Sequence, residues 1–171
     1  MKDFYTDISK LKSVLRRGWL VRDFKVERIE SDAEHTYSML MLAFYFLGKN
    51  KLKNLDFSKI MKMILCHDLG EIEIGDITPF DKYDIKLKHI QEQNAIRTIS
   101  EKYELSELLS IWQEYNERKT PESKFVKFLD NLDYLCQANC YKKDNTKQFK
   151  ILYEEYSKKH PEIIEVFNED L

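Results

Sequence analysis

The chain has 171 residues, 43% hydrophobic and 13% aromatic, enough for one folded domain with its own core and too apolar for a disordered segment. Its 28 basic and 30 acidic residues are interspersed and leave a formal charge of -2, so no basic stripe announces a nucleic-acid polymer gripped through its phosphates. Four glycines and three prolines leave few tight turns and favour long helices.

The N-terminus, Met1-Lys2-Asp3-Phe4-Tyr5, is mixed and charged and lacks the apolar region of a signal peptide. Phe4, Ile8, Leu11 and Leu15 form one helical stripe, which Arg16-Arg17-Gly18-Trp19 stops. Residues 18–30 show no useful periodicity and read as an ordered loop pinned by Trp19, Val21 and Phe24. Ser31-Asp32-Ala33-Glu34 has the form of a capping box, and the helix it opens carries His35, Met39, Leu42 and Phe46 on one face before ending at Gly48. The longest apolar run, Met39–Leu47, is about half a membrane span, so the expectation is a cytoplasmic protein without membrane association.

Asp56 is the expected cap of the next helix, whose run Ile60, Met61, Met63, Ile64, Leu65 delivers His67 and Asp68 near its end. Residues 71–83 read as irregular and as the lining of a cleft. Asp84 caps a helix to about Tyr103 with Ile85, His89, Glu92, Ile96 and Ile99 along one side. Ser106 starts another, with Leu108, Ile111, Trp112 and Tyr115 inward. Thr120-Pro121-Glu122 signals a further start, with a capping threonine and proline in the first position. In that helix Val126, Asp130, Tyr134 and Gln137 recur every three or four residues. Cys136 and Cys140 lie one turn apart, but no second pair completes a zinc site, so all three cysteines read as reduced and these two as buried thiols. Phe149, Leu152, Tyr153 and Tyr156, then Ile163, Ile164 and Phe167 after Pro161, complete an all-α chain with no strand signal, repeat or linker.

The inward polar residues His35, His67, Asp68 and Asp130 fall on three separate helices. Each has an ordinary reading: a satisfied core histidine, a helix end with solvated acids, a partly exposed carboxylate. Together, two imidazoles and two carboxylates neutralise a divalent ion and leave room on it for water and a substrate oxygen. An unpaired carboxylate at position 130 would cost several kcal/mol, so it wants a cation.

In these residues the chain resembles the HD-domain metal-dependent phosphohydrolases, and within them the 5'-deoxynucleotidases. The pattern H…HD…D falls on His35, His67-Asp68 and Asp130. Arg16-Arg17-Gly18-Trp19 is similar to the family's Arg-x-Gly-Trp, residues 31–35 to its Ser-x-x-Glu-His, residues 67–80 to its HDxxExxxGDITPxD segment, and residues 114–138 to its last motif. The resemblance implies a single HD-domain helical bundle over residues 1–171 that hydrolyses deoxyribonucleoside 5'-monophosphates. It assigns His35, His67, Asp68 and Asp130 to one divalent ion, whether Co²⁺, Mn²⁺, Fe²⁺ or Zn²⁺. Glu71 would orient the attacking water or pass a proton, and Asp76 would bind substrate beside the ion; either carboxylate could serve the leaving oxygen. Arg16 or Arg17 would bind phosphate, with Arg16 fitting the motif spacing. Thr78 joins the substrate-binding set, and Trp19 would pack near the sugar and help reject a 2'-hydroxyl. The resemblance also implies a homodimer, for which the apolar C-terminal helices could supply the surface.

One departure is Lys88-His89-Ile90-Gln91-Glu92, which lacks two arginines the family often carries. His89 raises the thought of a second metal, but the chain has only four histidines and His160 lies in a late polar stretch. Two other readings stand beside the leading one: an HD phosphohydrolase or phosphodiesterase acting on another nucleotide or small phosphoester, and a non-catalytic metal-bound nucleotide-binding module.

Overall fold

A computed structural model describes residues 1–49 and 54–169, and those residues form ten α-helices and no strand. In chain order these are α1 (Lys2–Ser9), α2 (Gly18–Val21), α3 (Asp32–Gly48), α4 (Phe57–Cys66) and α5 (Glu71–Ile74). Then come α6 (Ile85–Lys102), α7 (Leu108–Glu117), α8 (Pro121–Cys140), α9 (Thr146–Lys159) and α10 (Pro161–Glu169). The long helices begin where side-chain oxygens can satisfy the free N–H groups of a first turn. Ser31 and Glu34 form the reciprocal box of α3, Asp56 accepts from Lys59 N–H, Asp84 from Lys86 and Leu87 N–H, and Thr120 from Ser123 N–H.

Helix α8 packs against α3, α4, α7 and α10, so it is the post around which the others stand. Met39 and Ala43 of α3, Ile60 and Ile64 of α4, Leu129 and Leu135 of α8, and Leu152 and Ile163 of the last two helices are completely buried. Burying each of the larger ones contributes about 1.5–3 kcal/mol. This core lies under the polar residues of α3, α4 and α8 and fixes the relative positions of their helices.

Local details depart from the periodic reading. The first helix stops at Ser9, passes through a 3₁₀ turn at Lys10–Ser13, and then runs extended. Leu15 pairs antiparallel with Ser31, flanked by Arg16 N–H to Glu30 O at 3.0 Å and Asp32 N–H to Val14 O at 2.9 Å. Leu15 therefore faces outward and is 46% exposed. The expected loop at 18–30 contains α2, a single turn that can point only one large side chain inward; Trp19 and Phe24 are buried, while Val21 is exposed. Ile85, the first residue of α6, overhangs the core and is exposed, and the helix expected from Ser106 begins at Leu108 without a side-chain cap. Of the cysteines, all free, only Cys66 is buried; Cys136 is half-buried and Cys140 is exposed near the end of α8.

The segment after His67-Asp68 includes α5, placed by two glycines. A Cβ on Gly70 would come within 3.1–3.2 Å of Glu92 backbone atoms in α6, so a larger residue there would push the two segments apart by a few tenths of an ångström. Gly75 ends α5 at φ 74°, ψ 173°, a region essentially confined to glycine, and turns the chain towards Asp76. Helices α9 and α10 bury Phe149, Leu152, Tyr156, Ile163 and Phe167 within the chain, so these residues are spent on the core and offer no dimer surface. Exposed apolar residues include Ile151 of α9 and, along the outer face of α3, Tyr37, Met41 and Phe44. Among the described residues no helix is long and apolar enough to cross a membrane.

The box at α3 has a measurable pH signature. A hydrogen-bonded fork from Arg28, then the Ser31 N–H, holds the Glu34 carboxyl down at about 2 against an ordinary 4.5. Its stabilisation is present above pH 4.5 and fades as pH falls through about 2. Glu34→Gln should therefore cost about 1 kcal/mol or less at pH 7, because the pair is solvent-screened. Urea melts at pH 7 and pH 3 should show the gap between variant and parent narrowing in acid.

Candidate active site

His35, His67-Asp68 and Asp130 converge from α3, the end of α4 and α8. One ligand atom each from His35, His67 and Asp68 lies within 4.8 Å of the others. His35 Nε2 is 3.3 Å from His67 Nε2, His67 Nε2 is 3.0 Å from Asp68 Oδ2, and Asp130 Oδ1 joins at 3.4 Å from His35 Nε2. Both rings are oriented from behind. His35 Nδ1–H donates to Asp133 Oδ2 at 2.6 Å, and His67 Nδ1–H donates to the Ile64 carbonyl at 2.8 Å. These acceptors fix the proton on Nδ1 and turn each Nε2 towards the centre.

Two nitrogen lone pairs and two carboxylates aimed at one another repel unless a cation lies among them. The donor set thus fits a divalent transition ion, whose bonds to such N and O atoms run about 2.0–2.2 Å and hold neighbouring ligands at comparable spacings. Without such an ion, protons serve. Burial and the Arg16 charge lower the basicity of His35, but hydrogen bonds to Asp130 and Asp133 outweigh them and take it up to about 9. Metal uptake must therefore displace a proton.

The charged surroundings are dense. Arg16 is nearly buried, with Nη1 3.2 Å from Asp68 Oδ2 and 3.7 Å from Asp32 Oδ1, and Nη2 3.9 Å from Asp130 Oδ1. Arg17 turns away to Asp81 at 3.0 Å, while its backbone N–H donates to Asp76 Oδ2 at 2.6 Å. Glu71 is buried; desolvation, then the Asp68 and Asp32 charges, raise its carboxyl well above the usual range. Asp32, completely buried, is pushed up to about 7 mainly by burial and by Asp68. Neither Asp32 oxygen nor Glu71 Oε2 meets a hydrogen-bond donor, so retained protons satisfy this acid pair best. Lys88 Nζ reaches Glu71 Oε1 at 3.2 Å and the Ile77 carbonyl at 2.7 Å, tying α6 to the loop beyond α5.

A cavity of about 280 Å³ opens over these groups. Asp68, Glu71, Asp76 and Asp130 line it, and so do Arg16, Arg22, Lys88 and Lys127, four acids against four bases. Thr78 also lines it, but its hydroxyl is committed to Asp81 at 2.9 Å. Trp19 has no surface there. Its indole is completely buried, donates to Glu30 Oε1 at 2.9 Å and stacks on Tyr134 at 4.2 Å; Tyr134, not Trp19, lines the cavity. His89 stacks on Trp112 at 5.2 Å and belongs to none of the clusters that could hold a metal.

A family model described as HD domain matches residues 8–170. The chain belongs to the HD-domain family. Within it, the chain is 38% identical over 149 residues to the 5'-deoxynucleotidase HDDC2 of Dictyostelium discoideum, covering 82% of this chain and 77% of that relative. It is 32% identical over 169 residues to the 5'-deoxynucleotidase HDDC2 of Homo sapiens, covering 95% and 80%. Among solved structures, the PH0347 protein of Pyrococcus horikoshii OT3 superposes with a TM-score of 0.79 at 24% identity, covering 98% of this chain and 95% of that one. A predicted metal-dependent phosphohydrolase from Magnetospirillum magnetotacticum MS-1 gives 0.69 at 24% identity, covering 91% and 81%.

Several residues that shape this HD-domain site escape the sequence reading. Asp133 follows Asp130 by three positions on the same helical face, a spacing that could have suggested a partner for a ligand. Asp32 hides inside the capping motif, and Lys88, Lys127 and Arg22 look like ordinary surface charges. Asp133→Asn keeps the volume but weakens the grip on the His35 tautomer. It should lower Mn²⁺ affinity about 10–100-fold in calorimetric titration. Parent affinity should rise with pH up to about 9, where His35 gives up its proton, and level off above it.

Proposed function

We propose that this chain is a metal-dependent phosphomonoesterase that hydrolyses deoxyribonucleoside 5'-monophosphates to deoxynucleoside and phosphate. The observation that carries the reading is Arg16, a buried guanidinium set between Asp68 and Asp130 at the floor of a cavity sized for one small molecule. The names of the relatives point to the same substrate class.

His35, His67, Asp68 and Asp130 would hold the ion. Bound there, it would lower the pKa of water and draw charge from phosphoryl oxygens, and the mixed donor set admits Mn²⁺, Fe²⁺, Co²⁺ or Zn²⁺. Arg16 binds the phosphate oxygens from the other side. With Glu71 neutral, three carboxylates face four bases around the cavity, an excess of positive charge that suits a phosphate dianion. Water adds to phosphorus as the bond to the 5'-oxygen breaks. Glu71, kept protonated by its surroundings, gives its proton to that oxygen. Lys88 holds Glu71 in place, and Asp76, anchored by the Arg17 amide, faces the substrate. Arg17 itself stays outside the reaction.

Two copies pair through the outer face of α3, a reading supported by exposed Tyr37, Met41 and Phe44 along one stripe. Phe44→Glu should shift the sedimenting species from dimer to monomer.

Phosphate release from a panel of ribo- and deoxynucleotides, with Mn²⁺ or Co²⁺ supplied, tests the activity. Deoxyribonucleoside monophosphates should be cleaved fastest; chelation should abolish turnover and added metal restore it. Arg16→Gln should lower kcat/KM by about 10²–10³-fold and Arg17→Gln by less than about tenfold. Release from no monophosphate would remove the proposal.

A further inference from the structure

Phe80 is 55% exposed although it lines the same cavity as Arg16 and Asp68. A large ring left in water beside an active site needs a reason. The surroundings hold it firmly. Thr78 N–H and hydroxyl both donate to Asp81 Oδ2, at 2.7 and 2.9 Å, and Phe80 N–H donates back to the Thr78 hydroxyl at 3.3 Å. Arg17 grips Asp81 from outside at 3.0 Å. The Arg22 guanidinium lies over the Phe80 ring at 5.0 Å and is itself fixed by Glu155 at 2.9 Å. One side of the ring is thus braced by a cation that has little freedom to move. Tyr134 and Tyr156, 6.3 Å apart, line the same cavity.

The lining therefore has two characters. The HD cluster, Arg16 and Glu71 suit a phosphate, whereas Phe80 and the two tyrosines suit a flat, apolar group carried on the same molecule. We propose that Phe80, braced by Arg22, is the platform on which the nucleobase of the substrate stacks. This rests on the phosphomonoesterase reading given above. Stacking on an aromatic ring works for every base, because each has a π face. The polar groups next to Phe80 are already engaged: Arg22 with Glu155, and Asp81 with Thr78 and Arg17. None is free to read a base edge. The platform binds bases as a class and does not select among them.

The test compares parent, Phe80→Ala and Phe80→Trp on the four deoxyribonucleoside 5'-monophosphates and on 2-deoxyribose 5-phosphate, which has no base. Dissociation constants from calorimetry accompany turnover with Mn²⁺. Loss of stacking should raise KM and Kd for all four nucleotides about 5- to 150-fold in Phe80→Ala. The expected kcat stays within about threefold, Phe80→Trp keeps parental values, and the base-free ester is handled alike by all three proteins. Unchanged nucleotide KM in Phe80→Ala, or an equal loss on 2-deoxyribose 5-phosphate, overturns the platform and leaves the phosphomonoesterase standing. Phe80-dependent nucleotide binding without any turnover does the reverse. Absence of nucleotide binding by the parent removes both.

Discussion

Two imidazole nitrogens held 3.3 Å apart, each with its proton locked on the far side of the ring, set the terms for everything else in this molecule. With both rings neutral such a contact is repulsive, and either a proton on His35 or a cation between the rings relieves it. The helices that impose it are clamped by the aliphatic layer beneath: Met39 under His35, Ile60 and Ile64 before His67, Leu129 beside Asp130. Relaxing the contact would mean opening that layer. The core energy is thus what keeps a strained polar arrangement in place, and a bound cation turns the strain into affinity.

Around this centre carboxyl groups of one kind are held in two different states. Carboxylates near the histidines are held ionised by Arg16, Lys127 and the rings; one step away, Asp32 and Glu71 are held towards the protonated form by burial and by those same carboxylates. A single cavity therefore holds ionised carboxylates beside a neutral carboxyl, separated by environment and not by residue type.

What could be read from the sequence was whatever is encoded locally. Ser31 with Glu34, Asp56, Asp84 and Thr120-Pro121 announce helix starts because a cap acts within one turn. His35 and Asp130 stand out because they interrupt apolar faces. Long-range facts were hidden. Nothing in the order Arg16-Arg17 says that one guanidinium is swallowed by the acid cluster and the other leans on Asp81. A tryptophan three residues from the arginine that enters the acid cluster looks like a cavity residue until Tyr134 is seen to cover it. Asp133 resembles a surface acid, and only the packing of α3 against α8 shows it as the acceptor behind His35. The exposure of Leu15 was equally invisible, since it depends on pairing with a residue sixteen positions away.

That short pairing has an evolutionary corollary. Adjacent side chains leave the backbone in different directions, and the two hydrogen bonds flanking Leu15 and Ser31 decide which arginine enters the interior. A slip of one position would send the neighbouring guanidinium inward and take Arg16 away from Asp68 and Asp130. Insertions between residues 15 and 31 can be absorbed by the exposed turn at Glu27 and Arg28, clear of buried Phe24 and of Arg22 at the cavity, provided the register at both ends survives. Lineages of this protein should therefore tolerate length changes in that turn far more readily than at the two ends of the pairing.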